Sequence, residues 1–195
     1  MELEELIHQR KVKLESLRQL GINPYGTPLP GCAAIGSLIA DFKEGAKVTI
    51  TGRIMAKRSH GKAAFLDLRD TTAKIQLYVK ASIVGEALFR VFELLEVADF
   101  IAVEGELFKT HTGEPTLKVE KCVVLTKALR PLPEKWHGLK DVESRFRQRY
   151  LDLISNEDVK KVFLLRSQII RAVRASLDQK GYQEVETPMM HDIAG

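Results

Sequence analysis

Residues 58–79 read RSHGKAAFLDLRDTTAKIQLYV, and their alternation decides the fold. Apolar and polar side chains trade places residue by residue, the period of a strand with one buried face. Ala64, Leu66 and Leu68 fall on one face of a first strand, and Phe65, Asp67 and Arg69 fall on the other. After a turn, Ile75, Leu77 and Val79 share a face, while Lys74, Gln76, Tyr78 and Lys80 share its opposite. One residue is out of place: Phe65 points to the wet side, among cations and a glutamine.

The stretch before this hairpin, KVTITGRIMAK, alternates too. It predicts a strand with Val48, Ile50, Ile54 and Ala56 on one side and Thr49, Thr51, Arg53 and Lys57 on the other. Gly52 is the candidate bulge or bend. Strict alternation puts Arg58 on the core face, unless the strand bends or ends near Lys57. After the hairpin, GEALFRVFELLEV has helical spacing at Leu88, Val91, Phe92 and Leu95. DFIAVEGELFKT and PTLKVEKCVVLT then read as two strands joined by the loop HTGE. Three strands, a helix and two strands is the order of the five-stranded OB-fold barrel, whose second and third strands face its ligand. A generic small barrel or a partner-binding adaptor satisfies the same pattern.

Charge adds a direction. Residues 47–80 hold eight basic and two acidic side chains, whereas 81–106 hold one basic and six acidic. Positive charge gathers on the strands that carry Phe65, the footprint expected of a phosphate-bearing partner, although a solvated basic face looks the same.

Other classes are excluded more simply. No apolar run is long enough to span a membrane, and MELEELIHQR lacks the apolar centre of a signal peptide. Cys32 and Cys122 fit neither a disulfide framework nor a metal spacing, and the five histidines form no i, i+3 or i+4 pair. A reducing cytosol is the expected home.

Outside the barrel, Leu3, Leu6, Ile7, Leu14, Leu17 and Leu20 mark a helix stopped at Gly21, and INPYGTPLPGC is a connector. KALRPLPEKWHG reads as an ordered linker. In DVESRFRQRYLDLI, Val142, Phe146, Tyr150 and Leu153 sit at helical spacing, and Arg145, Arg147 and Arg149 are expected in salt bridges rather than catalysis. A long helix follows, with Ser155 and Asp158 as a capping-box-like start and Gly181 as its stop. YQEVETP then switches to period two, predicting a strand that Pro188 ends. A long helix and one strand cannot bury their own apolar face, so residues 156–195 read as the opening of a larger domain.

A phenylalanine on a wet, basic hairpin is the stacking platform of single-stranded nucleic-acid recognition, worth about 1–3 kcal/mol per base. Gln76 stands on the same face, and its amide can pair with the N3–H and O4 of uracil. Glu114, in the HTGE loop, could accept a base or ribose proton, and Arg58 could hold a phosphate or base carbonyl. Plain sheet surface and a turn residue are the bland readings of Gln76 and Glu114.

Five segments in register resemble the N-terminal half of the class II aminoacyl-tRNA synthetases of the lysine, aspartate and asparagine subgroup, the lysine enzymes most closely. They are KLESLRQLGINPY, GKAAFLDLRD with IQLYV, LFKTHTGEPTL, the linker LTKALRPLPEKWHGLKDVESRFRQRYLDLISN, and GYQEVETPMM, which looks like motif 1. The resemblance implies an α+β chain. Its parts are an N-terminal helix (1–22), a connector (23–46), an OB-fold anticodon-binding domain (47–127), a linker with helix (128–155) and the first helix and strand of a catalytic domain (156–195). It puts the anticodon contacts on Arg58, Phe65, Gln76 and Glu114, and a motif 1 dimer interface at Gly181, Glu186 and Pro188. It implies the tRNA-Lys anticodon loop as partner and a homodimer in the full-length enzyme. ATP and Mg²⁺ are expected only there, since motifs 2 and 3 should lie beyond Gly195, and no catalytic residue is expected in this chain. Alternatives are a stand-alone RNA-binding module and a protein-interaction fragment.

Overall fold

The alternating segments close on themselves. In a computed structural model describing residues 3–26, 30–133 and 139–188, strands β1 (Lys47–His60), β2 (Ala63–Arg69), β3 (Lys74–Lys80), β4 (Phe100–Lys109) and β5 (Pro115–Thr126) form a barrel. Their order is β1-β2-β3-β5-β4, antiparallel except where β3 runs parallel to β5. Pro115 opens β5 at its first position, where the missing N–H costs least. Ala64, Leu66, Leu68, Ile75, Leu77 and Val79 are all buried in the barrel, with Leu107, Leu117 and Val119 opposite. The chain divides into two compact units, Met1–Pro131 and Leu132–Gly195.

The first unit begins with helix α1 (Leu3–Gln19), which buries Leu14 and Leu17. The stretch expected to be pure connector holds a short helix, α2 (Ile35–Ala40). Its start is stabilised from far along the chain: the Asp70 carboxylate accepts the Ile35 amide at 2.8 Å, and the Thr72 hydroxyl accepts the Gly36 amide at 2.8 Å. Asp70 also accepts the Thr72 hydroxyl and the Thr72 and Ala73 amides, closing the β2–β3 turn. Burial pushes its pKa up, but these bonds more than offset it and hold the pKa below the ordinary carboxylate value. The stabilisation is therefore present above the unfolded carboxylate pKa and lost as pH falls through the lower folded value. Asp70→Asn is expected to cost about 1–2 kcal/mol at neutral pH, with the gap to the parent closing in acid, measured by urea unfolding across pH.

Gly52 is not the bulge. It stays in register with Ile101, and a Cβ there would stand 2.7 Å from the Arg69 carbonyl oxygen. The extra residue is Met55: Ile54 faces Leu68, but Ala56 already faces Asp67. From that point the faces of β1 exchange, so Ala56 lies outside and Lys57 inside, against the strict alternation.

Between β3 and β4 the expected helix forms as α4 (Glu86–Leu94), preceded by a short helix the spacing did not signal, α3 (Ala81–Val84), with Val91, Phe92 and Leu95 in the core. The inward turn of Lys57 now has a purpose. Its amine donates to the carbonyls of Phe92, Glu93 and Leu95 at 2.7, 3.1 and 2.8 Å, satisfying the otherwise unpaired end of α4. Burial holds its pKa below the usual lysine value. Beside it, Asp99 and Lys127 form a fully buried ion pair at 2.8 Å, and Asp99 also accepts the amides of Glu96 and Ala128. Arg10 of α1 closes the seam by donating to the carbonyls of Val97, Ala128 and Arg130.

In the second unit the predicted single helix over DVESRFRQRYLDLI breaks at Gln148 (φ −116°, ψ 57°) into α5 (Val142–Arg147) and α6 (Arg149–Ser155). The break folds both pieces around buried Asp152, which Arg145 and Arg149 clasp, while Val142, Phe146 and Tyr150 stay exposed. Arg147 pairs with Glu143, so all three arginines are in salt bridges. Helix α7 (Glu157–Gln179) starts at Asn156 rather than at a Ser155 cap. Ser155 closes α6, and the Asn156 amide is spent on Asp152 and the Leu139 carbonyl. Part of the expected linker, 134–138, lies outside the described residues.

Among the described residues no helix is long and apolar enough to cross a membrane.

Candidate nucleic-acid interface

The outer face of the barrel is built in rows, because residues paired across antiparallel or parallel strands point the same way. One row runs Arg58, Phe65, Tyr78, Lys118; the next runs Ala56, Asp67, Gln76, Thr116. The Met55 bulge is what brings Arg58 into the first row. Without it, Arg58 would point into the barrel.

Phe65 is half-buried rather than bare. Its ring meets Tyr78 with centroids 5.1 Å apart and a 36° tilt, and Tyr78 meets Phe108 edge-on at 6.1 Å. Three rings thus line one face, the geometry aromatic pairs prefer over flat stacking. The remaining ring surface of Phe65 faces solvent, with exposed Arg58 paired opposite it across β1 and β2. Arg58 and Lys74 both reach Asp67, at 3.2 and 3.3 Å, with more than half of each basic side chain in water. Asp67 itself is mostly covered, but Lys74 stays on its carboxylate, so the guanidinium can leave for a phosphate or a carbonyl without stranding the acid.

The loop between β4 and β5 carries Glu114 to the same place. Gly113, at φ +81°, supplies the left-handed turn, and Thr110 ties the loop through bonds to Gly113 and Glu114. The Glu114 carboxylate then accepts from Gln76 Nε2 at 3.4 Å. Gln76 is 8% exposed and Thr116, outward-facing yet covered by its neighbours, is 0% exposed. The Thr116 hydroxyl donates to Gln76 Oε1 at 3.1 Å.

Arg58, Phe65, Gln76 and Glu114 are therefore gathered on one face. Gln76 forms its floor rather than an open edge. Asp67, Tyr78, Phe108 and Thr116 also belong to this face and were not singled out from the sequence. Tyr78 was findable, since counting the hairpin register from its turn sets it directly opposite Phe65.

Gly181, Glu186 and Pro188 fall in the second unit. Gly181 adopts φ +83° and ends α7 with paired bonds, its amide to Asp178 and that of Tyr182 to Leu177, the Schellman pattern. Residues 182–188 run on with Glu186 and Pro188 exposed and no strand formed, because among the described residues no strand pairs with their backbone. Val162, Leu165, Ile169, Val173, Leu177 and Val185 are exposed along this helix and tail.

The two units match two families in the same order. Residues 48–125 match the OB-fold nucleic acid binding domain, and residues 141–195 match the class II (D, K and N) tRNA synthetases. Over all of its length the chain is 51% identical to the lysine–tRNA ligase of Thermoanaerobacter pseudethanolicus and 44% identical to that of Bacillus thuringiensis. Over 98% of its length it is 48% identical to that of Moorella thermoacetica. It spans about two fifths of these relatives, 40% of the first and third and 41% of the second. With a segment matching the OB-fold nucleic acid binding domain followed by one matching the class II tRNA synthetases of the D, K and N group, and similarity to lysine–tRNA ligases from end to end, the chain is a homologue of part of those ligases.

Proposed function

We propose that the first unit binds the anticodon loop of tRNA-Lys, with the central uracil stacked on Phe65 and its edge read by Gln76. The observation that carries this is the outer face itself: a half-open phenylalanine backed by Tyr78, beside a glutamine amide whose orientation is already held. Arg58, released from Asp67, supplies a charge-assisted contact to the loop, and Glu114 borders the base.

The proposed setting is a lysine–tRNA ligase that activates lysine with ATP and Mg²⁺ and transfers it to tRNA in the cytoplasm. Among the described residues no group of three or more His, Cys, Asp or Glu is placed to hold a metal ion. A homodimer built around Gly181, Glu186 and Pro188 is supported by the uncovered apolar side chains of α7, which line a groove of about 350 Å³ with Tyr182.

Gln76→Ala tests the base-reading role. Titrated with anticodon stem-loops bearing central uracil or cytosine, this variant is expected to bind both and to prefer uracil less than the parent does. A preference unchanged from the parent would move base reading elsewhere.

A further inference from the structure

We infer that Thr116 is the positioning residue that sets the choice of base, by holding the Gln76 amide in one orientation. The inference rests on the reading of the barrel face as an anticodon site and assigns part of its selectivity to a residue no ligand can touch.

A primary amide has two lone pairs on oxygen and two N–H donors. In the structure one of each is taken: Oε1 accepts from the Thr116 hydroxyl at 3.1 Å, and Nε2 donates to Glu114 at 3.4 Å. What Gln76 offers a base is therefore one acceptor and one donor, in a fixed order. Turning the amide over would set its oxygen against the Glu114 carboxylate, two acceptors with no proton between them. The Thr116 hydroxyl also lies 3.1 Å from the Glu114 carbonyl oxygen, so its single proton is within reach of both acceptors and the residue links loop to amide.

The order matters because uracil and cytosine present opposite patterns. Uracil offers the N3–H donor beside the O4 acceptor; cytosine offers the N3 acceptor beside the N4 donor. A free amide turns to suit either base, whereas a held one suits a single base in a given pose. Thr116 is 0% exposed, so an effect of its hydroxyl on base choice must pass through Gln76.

The test uses the full 195-residue chain and anticodon stem-loops with central uracil or cytosine. Thr116→Val keeps the shape and removes the hydroxyl. Its ratio of uracil to cytosine affinity is expected to fall roughly two- to tenfold below the parent's, the range of one hydrogen bond. Thr116→Ser is expected to restore the ratio. In a Gln76→Ala background, Thr116→Val is expected to change the ratio no further, the signature of action through Gln76. Where the valine variant does not fold, Thr116→Ala takes its place in the same comparison. A parent preference for uracil with an unchanged ratio in a folded hydroxyl-free variant overturns this inference alone. An equal drop with and without Gln76 does the same. A parent with no preference overturns the anticodon reading and this inference together.

Discussion

Phe65→Ala is expected to weaken binding of the anticodon stem-loop by about 1–3 kcal/mol, by a similar factor for central uracil and central cytosine. Stacking energy comes from ring area and is indifferent to the base's hydrogen-bonding edge, so affinity falls while selectivity survives. The ring also packs on Tyr78, and the variant is expected to lose about 0.5–1.5 kcal/mol of stability from that pair. Urea unfolding separates the two effects, because the stability loss alone would leave a folded chain with parental affinity. Parental affinity in the folded variant would show that no base stacks there.

The largest expected effect lies away from this face. Lys127→Met should destabilise the first unit by about 3–5 kcal/mol, the cost of leaving one charge of a buried pair without its partner. Asp99 keeps the amides of Glu96 and Ala128, which moderate the loss without replacing a cation. Because both side chains are completely buried, the cost should barely change with added salt, unlike that of a surface pair. Adding Asp99→Asn to Lys127→Met is expected to recover part of the stability by removing the stranded charge. A loss below about 1 kcal/mol for Lys127→Met, the value of a surface pair, would contradict this reading of the seam.

The pair also explains why the chain is held where it leaves the barrel. Lys127 and Ala128 reach Asp99 just after β5 ends, and Arg10 of α1 binds the Ala128 carbonyl from the other side. Helix, barrel and exit segment of the first unit thus meet at one polar cluster.

What could be read from the sequence follows a physical line. The β2 and β3 faces were legible because each pattern is complete within one strand. The turn of Arg58 to the outer face was not, since the bulged Met55 differs in no compositional way from an ordinary strand residue. Helix α2 was hidden for a related reason: its stabilising carboxylate, Asp70, lies 35 residues away. Period two over residues 182–187 signals a strand only when another strand is present to pair with it. Gln148 breaks a helical pattern because Asp152 gathers two arginines, a tertiary demand that spacing does not carry. Phe65, Gln76, Glu114 and Arg58 could be named in advance, but Thr116 could not. A threonine on an outer face reads as surface until the side chains from neighbouring strands close over it.

The account depends most directly on base preference at the barrel face. The decisive measurement is titration of the 195-residue chain with two lysine anticodon stem-loops, differing only in central uracil or cytosine, at low and moderate salt. The account predicts tighter binding of the uracil loop at both salts, with both affinities falling as salt rises because bound counterions are released. Equal affinities that fall together with salt would reduce the face to a basic surface and contradict it.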